Sequence, residues 1–343
     1  MRRKFARHRL GVVSLWVFGV IATVCLLADF FAPYPVAQRS SYISMAPQRI
    51  YFVDADGRFS LRPFVYGVDA TFDRERAQRV FTEDRSDRYE LQFLVRRGDA
   101  GLRLVGVEDG GTLNLLGTDR LGRDFLSRLL YGGRISLGIM LVATLTATVL
   151  GTVVGLVSGY RGGRFDLITQ RVVEVFQSLP DLPLWMSLSA VISPKASPTW
   201  VLIGISLIFA LLRWAEIARQ IRGKALALRD VDYVTAAGAL GGSTPRILFF
   251  HMLPGVTTHL IVVATLMMPY FILSESILSF LGLGVKPPMT SWGALLSEAQ
   301  NVGVLRFTPW LLFAGGFITV TVLCLNFIGD ALRDAVDPHS SKL

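Results

Sequence analysis

The chain has 343 residues, of which 52% are hydrophobic and only 18% charged, where a soluble domain carries nearer a quarter charged. Its two cysteines, Cys25 and Cys324, both sit in apolar runs, which argues against a disulfide framework and suits small buried hydrophobes. The formal net charge of +9 does not point to nucleic acid, because the basic residues flank apolar segments.

In chain order, Arg2, Arg3, Lys4, Arg7 and Arg9 precede an apolar core from Leu10 to about Ala28. That core is longer than a signal-peptide h-region and no small-x-small cleavage site follows it. It predicts a retained first helix with a cytoplasmic N-terminus. Residues 33–116 form a long polar insert in which "RIYFVDADGRFSLRPFVYG" and "RYELQFLVRRG" alternate apolar and polar residues. With the "DADG" turn, these patterns predict strands and hairpins in a small external β-rich domain or cap. Whether it packs on the spans or touches substrate stays open.

Residues 135–160 and 307–329 hold no charge, and about 20 apolar residues suffice to cross a bilayer as a helix. Six spans fit, at roughly 10–32, 134–160, 166–192, 199–218, 256–281 and 308–331. The third contains Asp181 between Pro180 and Pro183, and in the fourth only residues 200–212 are free of charge. With the N-terminus inside, the inner segments carry Arg161, Arg164, Arg171, Arg213, Arg219, Arg222, Lys224, Arg229, Arg246, Arg333 and Lys342. The short outer loops carry Lys195, Lys286 and Arg306. The asymmetry obeys the positive-inside rule and places both termini in the cytoplasm.

Gly151, Gly155 and Gly159 recur every four residues in the second span, near Thr148 and Thr152. Such a stripe permits close helix packing, within one subunit or at a dimer seam. Glu275 is the deepest acid in a strong span, and Ser274, Ser276 and Ser279 accompany it. Charges at such depth face a cavity or a partner, which makes these four a candidate translocation path alongside a hydrogen-bonding structural role. Catalytic signatures are missing: there is no G-x-x-x-x-G-K-[ST] and no H-E-x-x-H. His8, His251, His259 and His339 form no metal-ligand spacing. Ser158 in "VSGY" has no evident base. The chain therefore reads as a non-enzyme with no metal or cofactor of its own.

Between the fourth and fifth spans lies "DYVTAAGALGGSTPRILFFHMLPG", too polar for a span. Asp230 or Asp232 is positioned to cap a helix that Gly241-Gly242 breaks. Thr244 and Pro245 suit an N-cap and first position for a second helix through "RILFFHML". The alanines and glycines keep the first helix slim.

This stretch resembles the EAA signature of permease subunits in binding-protein-dependent ATP-binding-cassette importers: E-A-A, three residues, Gly, then I-x-L-P. Ala236, Ala237, Gly241, Leu253 and Pro254 match it, whereas Thr235 replaces the usual Glu and His251 stands where Ile is common. "LGTDRLGRDFLSRLLYGGRISL", "GYRGGRFD", "ESILSFLGLG", "SWGALL" and "NFIGDALRDAVDP" are similar to segments of C-type permeases of the dipeptide, oligopeptide and nickel group. Together they cover nearly everything from Leu116 to Pro338.

The resemblance implies an all-α polytopic membrane protein with six transmembrane helices of the type I importer (MetI-like) kind and a β-containing insert between helices 1 and 2. It divides the chain into residues 1–33 (cytoplasmic N-terminus and first helix), 34–116 (periplasmic insert), 117–338 (permease core) and 339–343 (cytoplasmic tail), with 230–254 as the EAA loop. It further implies a homologous second permease, two ATPase subunits using ATP and magnesium, and an extracytoplasmic solute-binding protein. ATPase coupling would fall to Ala236, Ala237, Gly238, Ala239, Leu240, Gly241, Gly242, Ser243, Thr244, Pro245, Arg246, Leu253 and Pro254. The external segment would comprise Gly117, Thr118, Asp119, Gly122, Arg123 and Asp124. Peptides are the leading substrate class; nickel complexes, opines, glycosides and peptide-like antibiotics use similar permeases. A secondary transporter would need an ion relay, for which Glu275 alone is thin support, and a membrane enzyme would need a nucleophile or metal set.

Overall fold

A short helical turn, α1 (Arg2–Phe5), precedes α2 (Arg9–Leu26), whose apolar sequence makes it a spanning helix, and a single turn α3 (Ala28–Phe31) follows. The computed structural model describes residues 2–73, 78–96, 101–193 and 196–336. Lys195, the Arg97–Gly98 end of the second strand pattern, Pro338, His339, Lys342 and the expected tail at 339–343 lie outside the described residues.

After the insert come α4 (Phe125–Arg161), α5 (Gly163–Ser178), α6 (Asp181–Ser189), α7 (Pro198–Arg229) and α8 (Asp232–Ala239). Then a continuous helical run comprises α9 (Thr244–Arg246), a π-turn (Ile247–Met252) and α10 (Leu253–Phe280). The chain closes with α11 (Trp292–Glu298), α12 (Val302–Phe307), a 3-10 turn (Pro309–Leu312) and α13 (Phe313–Val336).

Among the described residues, five helices are long and apolar enough to cross a bilayer: Arg9–Leu26, Phe125–Arg161, Pro198–Arg229, Thr244–Phe280 and Pro309–Val336. The third expected span, 166–192, is not one of them. It is split into α5 and α6 at Leu179 and Pro180, both extended. Proline has no N–H for the helix ladder and pushes the residue before it out of the helical region. The other spans differ in length. α4 begins nine residues earlier than expected because Asp124 caps it, accepting from the Ser127 backbone N–H at 2.7 Å and its hydroxyl at 2.6 Å. α7 runs on to Arg229, eleven residues past the expected end.

The chain divides into two compact units, one of residues 1–19, 137–278 and 319–343, the other of 20–136 and 279–318. In the first, the glycine stripe of α4 meets α7 of the same chain. A Cβ on Gly151 would lie 2.6 Å from the Ile217 Cβ, on Gly155 2.6 Å from the Ala218 carbonyl, and on Gly159 2.6 Å from the Ala225 Cβ. The stripe is thus an internal packing seam. At its end Gly162 and Gly163 take positive φ of 65° and 56° and turn the chain into α5. Asp166 then receives Arg222 Nε at 2.6 Å and Nη2 at 2.5 Å, and the Ser158 hydroxyl at 2.5 Å.

In the second unit the insert folds as a four-stranded antiparallel meander, β1 (Tyr51–Val53), β2 (Phe59–Asp73), β3 (Gln78–Arg96) and β4 (Leu102–Val107). The predicted hairpin at "DADG" is present, with the Gly57 N–H donating to the Asp54 carbonyl. Val65, Leu91, Val107 and Leu113 form its core, as alternating strands require.

Candidate functional site

The segment between α7 and α10 is built from the first unit alone. α8 starts one residue after Val231, which occupies the N-cap without a side-chain bond. Neither expected aspartate caps it: Asp230 is the C-cap of α7, and Asp232 enters the first turn of α8, where its charge meets the positive end of the helix dipole. The helix closes with Leu240 N–H donating to the Ala236 carbonyl and Gly242 N–H to that of Ala237, both at 3.0 Å. Gly241 between them has φ of +80°, a conformation that costs any residue with a Cβ.

The second helix also starts one residue early. Ser243 is the N-cap, so Thr244 and Pro245 are the first two helical residues. Proline is tolerated there because the first N–H groups of a helix have no partner anyway. The expected separate helix through "RILFFHML" is instead continuous with the fifth span. Its join is the π-turn, in which Leu253 N–H donates to the Leu248 carbonyl. Pro254 explains the turn, since a proline ring clashes with the carbonyl four residues earlier and a widened turn relieves it.

The apolar face of this region divides. Ile247 and Leu248 are buried, whereas Leu240 is 88% and Phe250 76% exposed. Ile247 packs at Gly242, its Cγ1 lying 3.5 Å from where a Cβ would stand. The small residues of the first helix therefore admit a side chain of their own chain. Ala236, Gly238, Ala239, Gly241, Ser243, Pro245, Arg246 and Pro254 are exposed, and Ala237, Gly242, Thr244 and Leu253 half-buried. Thr235, in the place of the usual Glu, turns its hydroxyl back to the Asp232 carbonyl at 3.0 Å.

Residues 117–124, the expected external segment, form a polar knot in the second unit. Gly117 and Gly122 have positive φ of 74° and 72°. Thr118 Oγ1 donates to the Tyr42 carbonyl at 2.5 Å and accepts from Met45 N–H at 2.8 Å. Asp119 is fully buried and receives Arg123 Nε at 2.6 Å and Arg128 Nη1 at 2.5 Å. Arg128 continues to both carboxylate oxygens of Glu298, at 2.9 and 2.7 Å. Asp124 keeps one oxygen, Oδ1, buried with no hydrogen-bond partner among the described residues. Burial, with a smaller contribution from the charge of Asp119, pushes its carboxyl up to about 6.

A family model described as "Binding-protein-dependent transport system inner membrane component" matches residues 151–342. The chain belongs to this family. A second model, for the N-terminal transmembrane domain of oligopeptide transport permease C, matches residues 1–47 of the permease. The oligopeptide transport system permease protein OppC of Escherichia coli (strain K12) is 44% identical over 223 residues, 65% of this chain and 71% of that protein. OppC of Bacillus subtilis (strain 168) is 39% identical over 66% and 72% of the two chains. The dipeptide transport system permease protein DppC of Lactococcus lactis subsp. cremoris (strain MG1363) is 31% identical over 99% of this chain and 90% of its own. Among solved structures, the inward-facing MetNI methionine ABC transporter has a TM-score of 0.47 at 18% identity, over 62% of this chain and 97% of that one.

The four residues expected along the translocation path are all buried in the permease, Glu275 at 1% exposure. Ser274 donates to the Tyr270 carbonyl at 2.8 Å, and Ser276 Oγ is buried with no hydrogen-bond partner among the described residues. Ser279 belongs to the second unit, where it accepts from Val285 N–H at 3.2 Å. The fold also assembles a cluster that sequence reasoning missed. Asp181, at the start of α6, accepts from Arg213 Nη2 of α7 at 2.6 Å and from the Tyr270 hydroxyl of α10. The Arg213 guanidinium lies 3.8 Å above the Tyr270 ring. The signal was available: opposite charges interrupting two adjacent weak spans need each other.

Proposed function

We propose that this permease component forms half of the translocation path of an ATP-driven peptide importer. A homologous second permease completes the path, a solute-binding protein delivers the peptide from outside, and two ATPase subunits drive the cycle with ATP and magnesium. This chain supplies no catalytic group. Its N- and C-termini lie in the cytoplasm, the insert at 34–116 faces the periplasm, and the core at 117–338 carries the path, with Glu275 and its neighbouring serines on α10 among the residues that shape it. Peptides are the substrate because the relatives just described are named for oligopeptide and dipeptide transport.

One observation carries the coupling part of this reading. The exposed knob at Leu240–Arg246 joins α10 through an unbroken helical run, Thr244–Phe280. A rigid run transmits a push from an ATPase subunit into a spanning helix, where a loose loop would absorb it. Residues 236–246 are the surface that enters the ATPase cleft, and Leu253 and Pro254 form the joint.

Gly241 is the test. Nothing lies within 4 Å of a Cβ placed there, yet its φ is +80°, so Gly241→Val strains the backbone without a clash. The variant is expected to assemble and to lose most peptide uptake along with the link between uptake and ATP hydrolysis. Peptide uptake at the wild-type rate would sink the coupling assignment.

A further inference from the structure

Beside the Asp181–Arg213 pair lies a cavity of about 360 Å³, lined by Asp181, Arg213, Glu216, Gln177 and Phe176 among others. Its walls come from α5, α6 and α7, at the break where the expected third span divides. Ionisable side chains on a spanning helix are costly and mark functional positions, so the valences left unfilled here indicate what the cavity takes.

Arg213 uses two of its three nitrogens. Its Nη2 binds Asp181 at 2.6 Å, its Nη1 binds Glu216 Oε2 at 3.1 Å, and its face rests on Tyr270. Its remaining Nε is buried with no hydrogen-bond partner among the described residues, a donor left for a neutral acceptor such as a carbonyl oxygen. The two acids are not saturated. Each uses one oxygen for Arg213, and Asp181 Oδ1 and Glu216 Oε1 take no hydrogen bond among the described residues. Two carboxylates against one guanidinium leave one net negative charge at the wall. The net charge therefore disfavours an anion and favours a cationic donor for the two acids. Two free carboxylate oxygens are few for a hard divalent ion, which takes six or more oxygens. A primary ammonium group has three donors, enough for those two oxygens, and Gln177 lines the same cavity. The volume admits an organic group and not merely one or two waters.

We infer that this cavity receives the α-ammonium group of the passing peptide, with Glu216 and Asp181 as acceptors and Arg213 as the fixed counter-charge between them. The inference rests on the peptide reading above and adds the end of the peptide that the permease itself engages. Glu216 is the better handle, because its side chain is 46% exposed and its loss leaves the Asp181–Arg213 bond in place.

The experiment uses the complete importer with its binding protein in proteoliposomes, and a tripeptide with a free or an acetylated N-terminus. Glu216→Gln should lower the initial uptake rate of the free-amine peptide roughly tenfold, as loss of a charge-assisted hydrogen bond implies. Acetylated-peptide uptake should change less than about twofold, and ATP hydrolysis without peptide should stay at the wild-type rate. Glu216→Asp, which keeps the charge, should recover to within about threefold of wild type. Free-amine uptake unaffected by Glu216→Gln, an equal loss for both peptides, or no recovery with Asp overturns the inference while leaving peptide import standing. A wild-type importer that carries neither peptide removes the peptide reading and this inference with it.

Discussion

An aspartate flanks each end of α4, Asp124 before it and Asp166 in the first turn of α5, yet the two carboxyl pKa values are shifted in opposite directions. In "GTDRLGRD", Arg123 and Arg128 reach Asp119 and leave Asp124 with no cation. Asp124 caps the helix through one oxygen, and burial pushes its carboxyl up to about 6. In "GYRGGRFD", Arg222 reaches Asp166 through two nitrogens, and its hydrogen bonds hold that carboxyl below the usual range against the effect of burial. Similar residue types at similar spacing thus give a cap whose pKa is raised and an ion-pair lock whose acid's pKa is lowered. The difference lies in which acid the arginine contacts, and for Asp166 that arginine comes from 56 residues away.

The largest break in this comparison is Arg222→Leu. It strands a buried carboxylate, and removing one partner of a buried pair costs about 3–5 kcal/mol. Thermal unfolding of the purified permease complex should fall accordingly, and an unchanged midpoint would remove the lock from the account. Arg128→Leu should cost less, about 1–3 kcal/mol, because both of its acids keep Arg123, Asp119 at 2.6 Å and Glu298 at 3.5 Å. The same melting measurement ranks the two.

Acidity separates the two aspartates by sign. Asp124 has a folded pKa above its unfolded value, so its contribution to stability is fully present below pH ~4 and is lost as pH rises through about 6. Asp166 has a lowered folded pKa, so its contribution is present above the unfolded value and is lost as pH falls through the folded one. Of these two aspartates, only Asp124 changes its charge between pH 7 and pH 5. Wild type should therefore gain about 1 kcal/mol on Asp124→Asn over that interval, read from melting curves at the two pH values. At pH 5 the variant itself should differ from wild type by less than about 1 kcal/mol, since Asn caps a helix as well as Asp does.

Much of the framework was legible because its causes are local. A bilayer demands an uninterrupted apolar run from each helix, and four of the five long helices overlap runs evident from hydropathy, with α7 following the weaker fourth. The β-strands of the insert followed from alternation around "DADG". Gly241 was readable as a turn because only glycine takes φ of +80° freely. The cap positions at Val231 and Ser243 were each missed by about one residue, since aspartate or threonine near a helix start has more than one favourable place.

By itself, then, the sequence determined the membrane class, the β insert and the position of the EAA-like knob, all of which depend on neighbouring residues. Tertiary structure decided the rest. It turned the glycine stripe toward α7 of the same chain, split the third span at Pro180, and joined the knob to α10 through a π-turn. It also brought Asp181 to Arg213 and Tyr270, 32 and 89 residues away. Close packing and buried ion pairs depend on which backbones approach each other, and no local pattern carries that distance.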